Sequence, residues 1–425
     1  MNVYEAAQKR ISYMFEEFDN IYLSFSGGKD STVCFHLMAA EARKRKRKFG
    51  VLTIDIEANY QITIEHMKYM LEEYKDVVEP MWVALPMLTN NSVSYSELTW
   101  KWWDEDKKDV WVREMPDMDY VINLKNNPID YYYEGITFED FVPKFGDWYG
   151  KGKKTACVVG IRTQESLNRW RAIHCEKNSY KDNRFSTQVS ESTYNFYPIF
   201  DWTVDDIWTF YGKTGNHYNK FYDLMYQAGI SIHKMRIDEP FGNEAKAGLN
   251  MFRIIEPKTW VKVVNRVSGA NFGNIYSGKH IQNARYKLPS GHTWETFTKF
   301  LLNTLPDDAA DHYRYKFNKF VSYWMNTGCP LEQNMVDLLE KDHAESIINT
   351  HQYSNRGNGD KEVIKFTKIV DHIPGLDSKK DLPTWRRLAM CIIKNDYFCK
   401  SLSFAITRQQ IEKRKAAIKK YKEII

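Results

Sequence analysis

Six consecutive residues, Ser26-Gly27-Gly28-Lys29-Asp30-Ser31, have the types and spacing to hold a phosphate group. They follow the apolar run Ile21 to Phe25 directly and open a helical pattern directly. Paired glycines let a backbone turn tightly and bring amide groups against an anion. The helix beyond them aims its unpaired N–H groups and the positive end of its dipole at the same point. Lys29 adds a full charge, and Ser26 and Ser31 add hydroxyl donors. The spacing is neither that of a Walker A loop nor that of a G-x-G-x-x-G dinucleotide turn. Lys29 and Asp30 read as loop residues whose removal leaves the fold intact. Asp55 and Glu57 stand at the carboxyl end of the next strand, where open α/β sheets place ligands. Either acid is a candidate to touch a ribose hydroxyl or a Mg²⁺-bound water; the plainer reading is a pair of surface acids.

The elements that must position these groups form an alternation. Tyr4 to Phe18 carries one apolar helical face, and Ile21 to Phe25 reads as a buried strand. Ser31 to Arg43 reads as a helix, Val51 to Ile56 as a strand and Ile62 to Tyr74 as a helix. Further strands are expected at Val77 to Leu85 and Ala156 to Ile161. Strands alternating with helices argue a parallel sheet with right-handed crossovers. The stretch 87–150 breaks the rhythm with Trp100, Trp102, Trp103, Trp111 and Trp148, and reads as an insertion or lid over the sheet edge. Beyond about 235 the alternation fades, and Glu295 to Leu305, Ala309 to Trp324 and Leu331 to His343 look helical. Tyr353 to Asp360 is the clearest flexible loop.

Composition bounds the answer. A chain of 425 residues with 43% apolar and 27% charged residues has material for two or three domains and is not globally disordered. The formal net charge of +5 is too mild to demand nucleic acid. No run approaches the 18 or so apolar residues of a membrane helix, and the amphipathic N-terminus is unlike a signal or transit peptide. Six cysteines (Cys34, Cys157, Cys175, Cys329, Cys391 and Cys399) form no C-x-x-C pair, which argues against zinc and against a cysteine-held cluster. They read as buried thiols of a reducing cytoplasm, and the expected location is cytoplasmic.

The Ser26–Ser31 segment resembles the PP-loop of the ATP pyrophosphatase (adenine nucleotide alpha hydrolase-like) superfamily. Val159 to Arg169 is similar to the G-x-R-x-x-[EQ]-S-x-x-R segment of phosphoadenosine phosphosulfate reductases. Tyr197 to Trp208 is similar to their P-x-x-x-W-x-x-x-D-[IV]-W, and Asn219 to Gly229 to the N-x-L-Y-x-x-G-Y that follows. These motifs stand in the family's order over about residues 20–235. Glu239 to Gly242, Glu256 to Trp260, Arg266 to Gly273 and Lys394 to Lys400 resemble the immunoglobulin-binding regulator A branch, whose bacterial or phage-borne members often have a ParB-like partner. The resemblance implies an α/β parallel-sheet PP-loop domain over 1–235, a mainly helical region over 236–352 and a C-terminal helical region over 353–425 with a basic tail. It implies adenine nucleotide binding by Ser24, Ser26, Gly27, Gly28, Lys29, Asp30 and Ser31, with Gly160, Arg162, Glu165 and Arg169 from the facing strand end. Lys29, Asp30 and Arg162 are the expected catalytic residues for cleavage between the α and β phosphates, with Mg²⁺ entering with ATP at Asp30. The bland alternative for Arg162 and Arg169 is a salt bridge to Glu165.

Two departures bear on the chemistry. The reductases' C-terminal E-C-G-[IL]-H nucleophile motif is missing, and Cys399 lies in Asp396-Tyr397-Phe398-Cys399-Lys400 without its context. Ser231 to Arg236 holds no cysteine where an iron–sulfur branch has them. A nucleotide-activating enzyme is therefore expected, with no iron–sulfur cluster and no essential thiolate; a reductase with an unrecognised thiol and a non-catalytic nucleotide sensor are the rivals. Arg43 to Lys48 reads as a solvated helix end, with a nucleic-acid contact as the alternative, and the tail from Arg408 as a basic helix.

Overall fold

The structure is a computed structural model that describes residues 2–94, 97–166, 169–170, 173, 179–237, 239–242, 249–271, 288–305, 307–353, 361–376 and 381–402. Residues 354–360 of the loop expected at Tyr353 to Asp360 and the basic tail lie outside these residues, as do Leu167, Asn168 and Cys175. The chain divides into two compact units: residues 1–89 with 99–277, and residues 90–98 with 278–425.

The first unit is built on a seven-stranded sheet. Its strands are β1 (Asn20–Ser24), β2 (Phe49–Ile54), β3 (Val78–Val83), β6 (Val121–Ile122), β7 (Thr155–Val159), β8 (Ser186–Gln188) and β9 (Thr193–Phe196). They stand in the order β6-β3-β2-β1-β7-β9-β8. Every pairing is parallel except β8 with β9. Leu23, Val51 and Val158 are fully buried, as expected of parallel strands covered on both faces. The helices α1 (Val3–Glu17), α2 (Lys29–Arg45) and α3 (Gln61–Glu73) match the expected alternation. Asn2 and Glu5 form a capping box that starts α1.

One topological feature positions the site. Ser24 of β1 pairs with Leu52 on one side and Val159 on the other. The chain leaves β1 for β2 and returns to the opposite flank as β7, and such a reversal opens a crevice at the carboxyl ends of the strands. Residues 25–28 and 160–162 therefore emerge side by side.

Apart from residues 90–98, which belong to the second unit, the Trp-rich stretch is woven into this unit rather than lying over its edge as a lid. It contributes the hairpin strands β4 (Met87–Asn90) and β5 (Thr99–Trp102), the edge strand β6 and helix α4 (Phe138–Tyr149). Trp100, Trp102 and Trp103 are buried, and Phe145 and Tyr149 of α4 pack on Tyr22 of β1. Among the described residues this unit goes on with α5 (Val204–Thr214), α6 (Phe221–Gln227), α7 (Leu249–Ile255) and α8 (Pro257–Arg266). The sequence sets the domain boundary at 235, but the unit runs on to Ser277.

The second unit is mainly helical, with α9 (Trp294–Thr304), α10 (Asp307–Asn326), α11 (Gln333–His343) and α12 (Trp385–Ile393). Tyr313, Phe317, Phe320 and Trp324 line one face of α10 at helical spacing and share a core with Leu388, Cys391 and Cys399. It also holds a three-stranded antiparallel sheet of β10 (Cys329–Pro330), β11 (Ile347–Tyr353) and β12 (Glu362–Phe366), which the sequence reading does not contain.

Candidate functional site

The turn between β1 and α2 depends on two glycines. Gly27 has φ of +69°, and a Cβ there would meet Met67 Cγ at 2.8 Å. Gly160 faces it at the end of β7, where a Cβ would lie 2.8 Å from the Ser31 backbone. The facing strand end can approach the start of α2 only without a side chain. Ser26 Oγ and Ser31 Oγ lie 3.1 Å apart, and Ser31 Oγ donates to the Gly28 carbonyl at 3.1 Å.

Lys29 and Asp30 are not loop residues. They form the first turn of α2 and are 2% and 7% exposed. Lys29 Nζ donates to Asp30 Oδ2 at 2.9 Å and to the Met235 carbonyl at 3.2 Å. Arg162, 3% exposed, donates through Nε to Asp30 Oδ1. Two cations thus converge on one carboxylate at a helix N-terminus inside the crevice, and one positive charge is left over. Arg169 does not join them. It pairs with Glu165, whose carboxylate also accepts the Arg162 backbone N–H at 3.0 Å. The bland salt bridge is realised for Arg169, while Arg162 reaches past Glu165 to Asp30. Ser24, half-buried at the end of β1, is held in the sheet register between Leu52 and Val159.

Both readings of Asp55 and Glu57 need correction. Neither acid is at the surface, and all four of their oxygens are engaged within the protein. Both are 0% exposed. Asp55 accepts from Trp82 Nε1 at 2.7 Å, from the Glu57 N–H at 3.0 Å and from Arg113. Glu57 accepts from Arg266 Nε at 2.9 Å and Nη2 at 3.1 Å, and from the N–H groups of Trp103 at 2.7 Å and Val112 at 3.1 Å. Burial pushes the Glu57 carboxyl up, opposed first by the charge of Arg266. These acids are anchors. They bind the 103–113 segment and α8 to the end of β2, which is why unit 1 extends beyond 235. Trp111, Arg113, Leu124 and Lys262 line an open basin of about 490 Å³ on the same side.

Magnesium does not fit Asp30 as the sequence reading has it, because both carboxylate oxygens are taken by Lys29 and Arg162. Among the described residues no three His, Cys, Asp or Glu side chains are grouped to hold a metal. Cys34, Cys157, Cys391 and Cys399 are buried, whereas Cys329, expected to be buried with them, is partly exposed. Burial pushes the Cys157 thiol up to about 12 and Cys34 higher still, away from thiolate chemistry.

Several residues at the site carry no role in the sequence reading. Asn219 donates through Nδ2 to the Gly27 carbonyl and to Thr63 Oγ1, both at 3.0 Å. Tyr211 donates to the Lys29 carbonyl at 2.6 Å, and the Lys29 N–H donates to the Tyr222 hydroxyl at 3.0 Å. The motif spanning Asn219 and Tyr222 was the available signal. Thr32 donates to the Gly28 carbonyl at 2.8 Å, so His66 Nε2, 3.0 Å from Thr32 Oγ1, is the donor there. His66 Nδ1 then accepts from His217 Nδ1 at 3.2 Å. His36 donates from Nε2 to the His217 carbonyl at 2.8 Å and accepts from Tyr74. Burial lowers His36 to about 4 and His66 to about 3.

The fold and the loop define a class, a phosphoadenosine phosphosulfate reductase-like PP-loop nucleotide-binding fold. Residues 20–228 match the model of the phosphoadenosine phosphosulfate reductase domain, and residues 229–413 match a domain of unknown function, DUF3440. The chain belongs to the family of the uncharacterized protein YbdN of Escherichia coli (strain K12). The two are 35% identical over 422 residues, covering 96% of this chain and 92% of that protein. Among solved structures, Candida glabrata FMN adenylyltransferase with FMN and an ATP analogue aligns at 14% identity and a TM-score of 0.32, over 52% of this chain and 60% of that one. Phosphoadenylyl-sulfate reductase from Candida auris aligns at 13% identity and 0.31, over 52% and 84%.

Proposed function

We propose that this protein binds ATP, or a related adenine nucleotide, with its phosphates at the start of α2, and cleaves it between the α and β phosphates to activate an acceptor. The observation that carries the reading is the surplus charge of Lys29 and Arg162 on Asp30, at the N-terminus of α2 in the sheet's topological crevice. In this reaction an acceptor nucleophile bonds to the α phosphorus, the bond to the bridging oxygen breaks, and pyrophosphate leaves with the electron pair. Charge grows on the departing oxygen, and fixed amides with two cations stabilise it without reorganising. Asp30, bonded to Lys29 and Arg162, is not free to hold magnesium in this network. The basin beside Arg113 and Lys262 is the proposed seat of the acceptor, since it too lies beyond the carboxyl ends of the strands.

The thiol-free reading is supported by the burial of Cys34, Cys157, Cys391 and Cys399. The motifs from Glu239 to Gly273 and from Lys394 to Lys400 support a place in the immunoglobulin-binding regulator A branch, and with it a ParB-like partner. One assay separates the classes of function. Purified protein with ATP and candidate acceptors is expected to release pyrophosphate, and Arg162→Met to abolish release. Sulfite production from phosphoadenylyl sulfate, lost in Cys399→Ser, would establish the reductase instead. Saturable ATP binding with no release would establish a sensor.

A further inference from the structure

We propose that Tyr222 is a further residue of the phosphate site, and that its hydroxyl holds, on the Lys29 amide, the place of a phosphate oxygen. The proposal rests on the phosphate-site reading above. The first amides of a helix have no acceptor within the helix and are the groups an anion uses. In this chain the Lys29 N–H already donates to the Tyr222 hydroxyl at 3.0 Å. The side chain of the same residue is met in the same way, because Lys29 Nζ donates to the Met235 carbonyl at 3.2 Å. Both acceptors come from far along the chain, 193 and 206 residues away. Lys29 is left 2% exposed and Tyr222 also 2%.

The two kinds of contact around the loop differ. Asn219 and Tyr211 bond to the carbonyls of Gly27 and Lys29, which a phosphate cannot use, so they fix the backbone whether or not an anion is bound. Tyr222 and Met235 bond to the N–H donors, which a phosphate needs. A phenol and a carbonyl are neutral acceptors, and a phosphate oxygen makes a bond roughly twice as strong. A polyphosphate therefore displaces the hydroxyl, while a weakly charged ligand does not. The measured affinity is lowered by the fraction of molecules in which the amide is covered. Tyr222 sets that fraction, and so sets both the affinity for phosphate and the preference for highly charged ligands.

The test is pyrophosphate binding by calorimetry and stopped-flow fluorescence, with Trp208, whose ring lies 5.8 Å from that of Tyr222, as reporter. Tyr222→Phe keeps the ring and removes the hydroxyl. The expected result is binding about tenfold tighter, the worth of one hydrogen bond no longer in competition. The gain should lie in the association rate, and the preference for pyrophosphate over inorganic phosphate should narrow. Equal or weaker binding by the folded variant, with the wild type binding, overturns the proposal and leaves the phosphate site standing. Binding by neither protein overturns the phosphate-site reading, and this proposal with it. Hydrogen exchange of the wild type gives a second reading: pyrophosphate should speed exchange in the 231–236 segment, and unchanged or slower exchange counts against displacement.

Discussion

The cluster that follows β1 and the cluster that follows β2 are made of the same residue types at the same edge of one sheet. After β1, Asp30 meets Lys29 and Arg162, two cations on one acid. After β2, Asp55 and Glu57 meet Arg113 and Arg266, two cations on two acids. Glu57 also takes two backbone N–H groups, and Asp55 an indole and an amide. The first cluster has a positive charge to spare at a helix N-terminus. The second is neutral, with every carboxylate oxygen engaged inside the protein. A buried group can bind only with the charge and hydrogen-bonding capacity its own neighbours leave over, so the first is suited to a ligand and the second to holding the chain together.

The largest expected effect would break this contrast at its structural end. Arg266→Met leaves Glu57 buried without its cation, and the unfolding free energy should fall by about 3–5 kcal/mol. A loss under about 1 kcal/mol in urea titration would mean that the anchor is not one. Next comes acid sensitivity. His36 and His66 are neutral in the fold, with values lowered to about 4 and about 3, against about 6.5 in an unfolded chain. Their contribution is therefore complete above pH 6.5 and is lost as pH falls, by about 1.4 kcal/mol per pH unit for each histidine down to its folded value. Denaturant midpoints at pH 7 and pH 5 should differ accordingly, and His66→Gln should halve the slope if the two histidines account for it.

The binding end of the contrast is tested by Lys29→Met. Asp30 keeps Arg162, so stability should change by no more than about 1 kcal/mol, while pyrophosphate affinity should drop about 10- to 100-fold. A large loss of stability with unchanged affinity would assign Lys29 to the same class as Arg266. The smallest effect concerns the basic run. Arg45 reaches Ser12 and Glu16, and Arg47 donates to the carbonyls of Phe15, Phe18 and Asp19 at the end of α1, which has no basic residue in its last turn. Arg47→Ala should cost about 1–2 kcal/mol. Replacing the exposed Lys44, Lys46 and Lys48 by Gln should leave both the unfolding midpoint and ATP turnover where they were.

Much of the first unit was legible because its signals are local. Glycine spacing marks the β1–α2 turn, and a 3.6-residue period marks α1 and α3. The sheet of the second unit was not legible. β10 has two residues, and β11 (Ile347–Tyr353) is a mostly exposed edge strand with Asn349, Thr350, His351 and Gln352 in its middle. Neither offers an apolar alternation to detect. The basic run was readable as a helix end, but not as a clasp on α1, because nothing in a string of cations says which of them will find carbonyls.

Sequence by itself determined where the proposed phosphate site lies: Gly27 and Gly28 between an apolar strand and a helix leave the first amides of α2 without an acceptor inside the helix. It also determined the alternation that makes the sheet parallel. The tertiary structure alone decided which acids and cations serve that place. Asp55 finds Arg113 across 58 residues and Glu57 finds Arg266 across 209, whereas Asp30 finds Lys29 beside it and Arg162 across 132. Charge strength depends on burial and on partners, and both are set only when distant segments close around the group. A carboxylate at a strand end is therefore a candidate ligand in the sequence, and becomes an anchor or a site residue only with its neighbours in place.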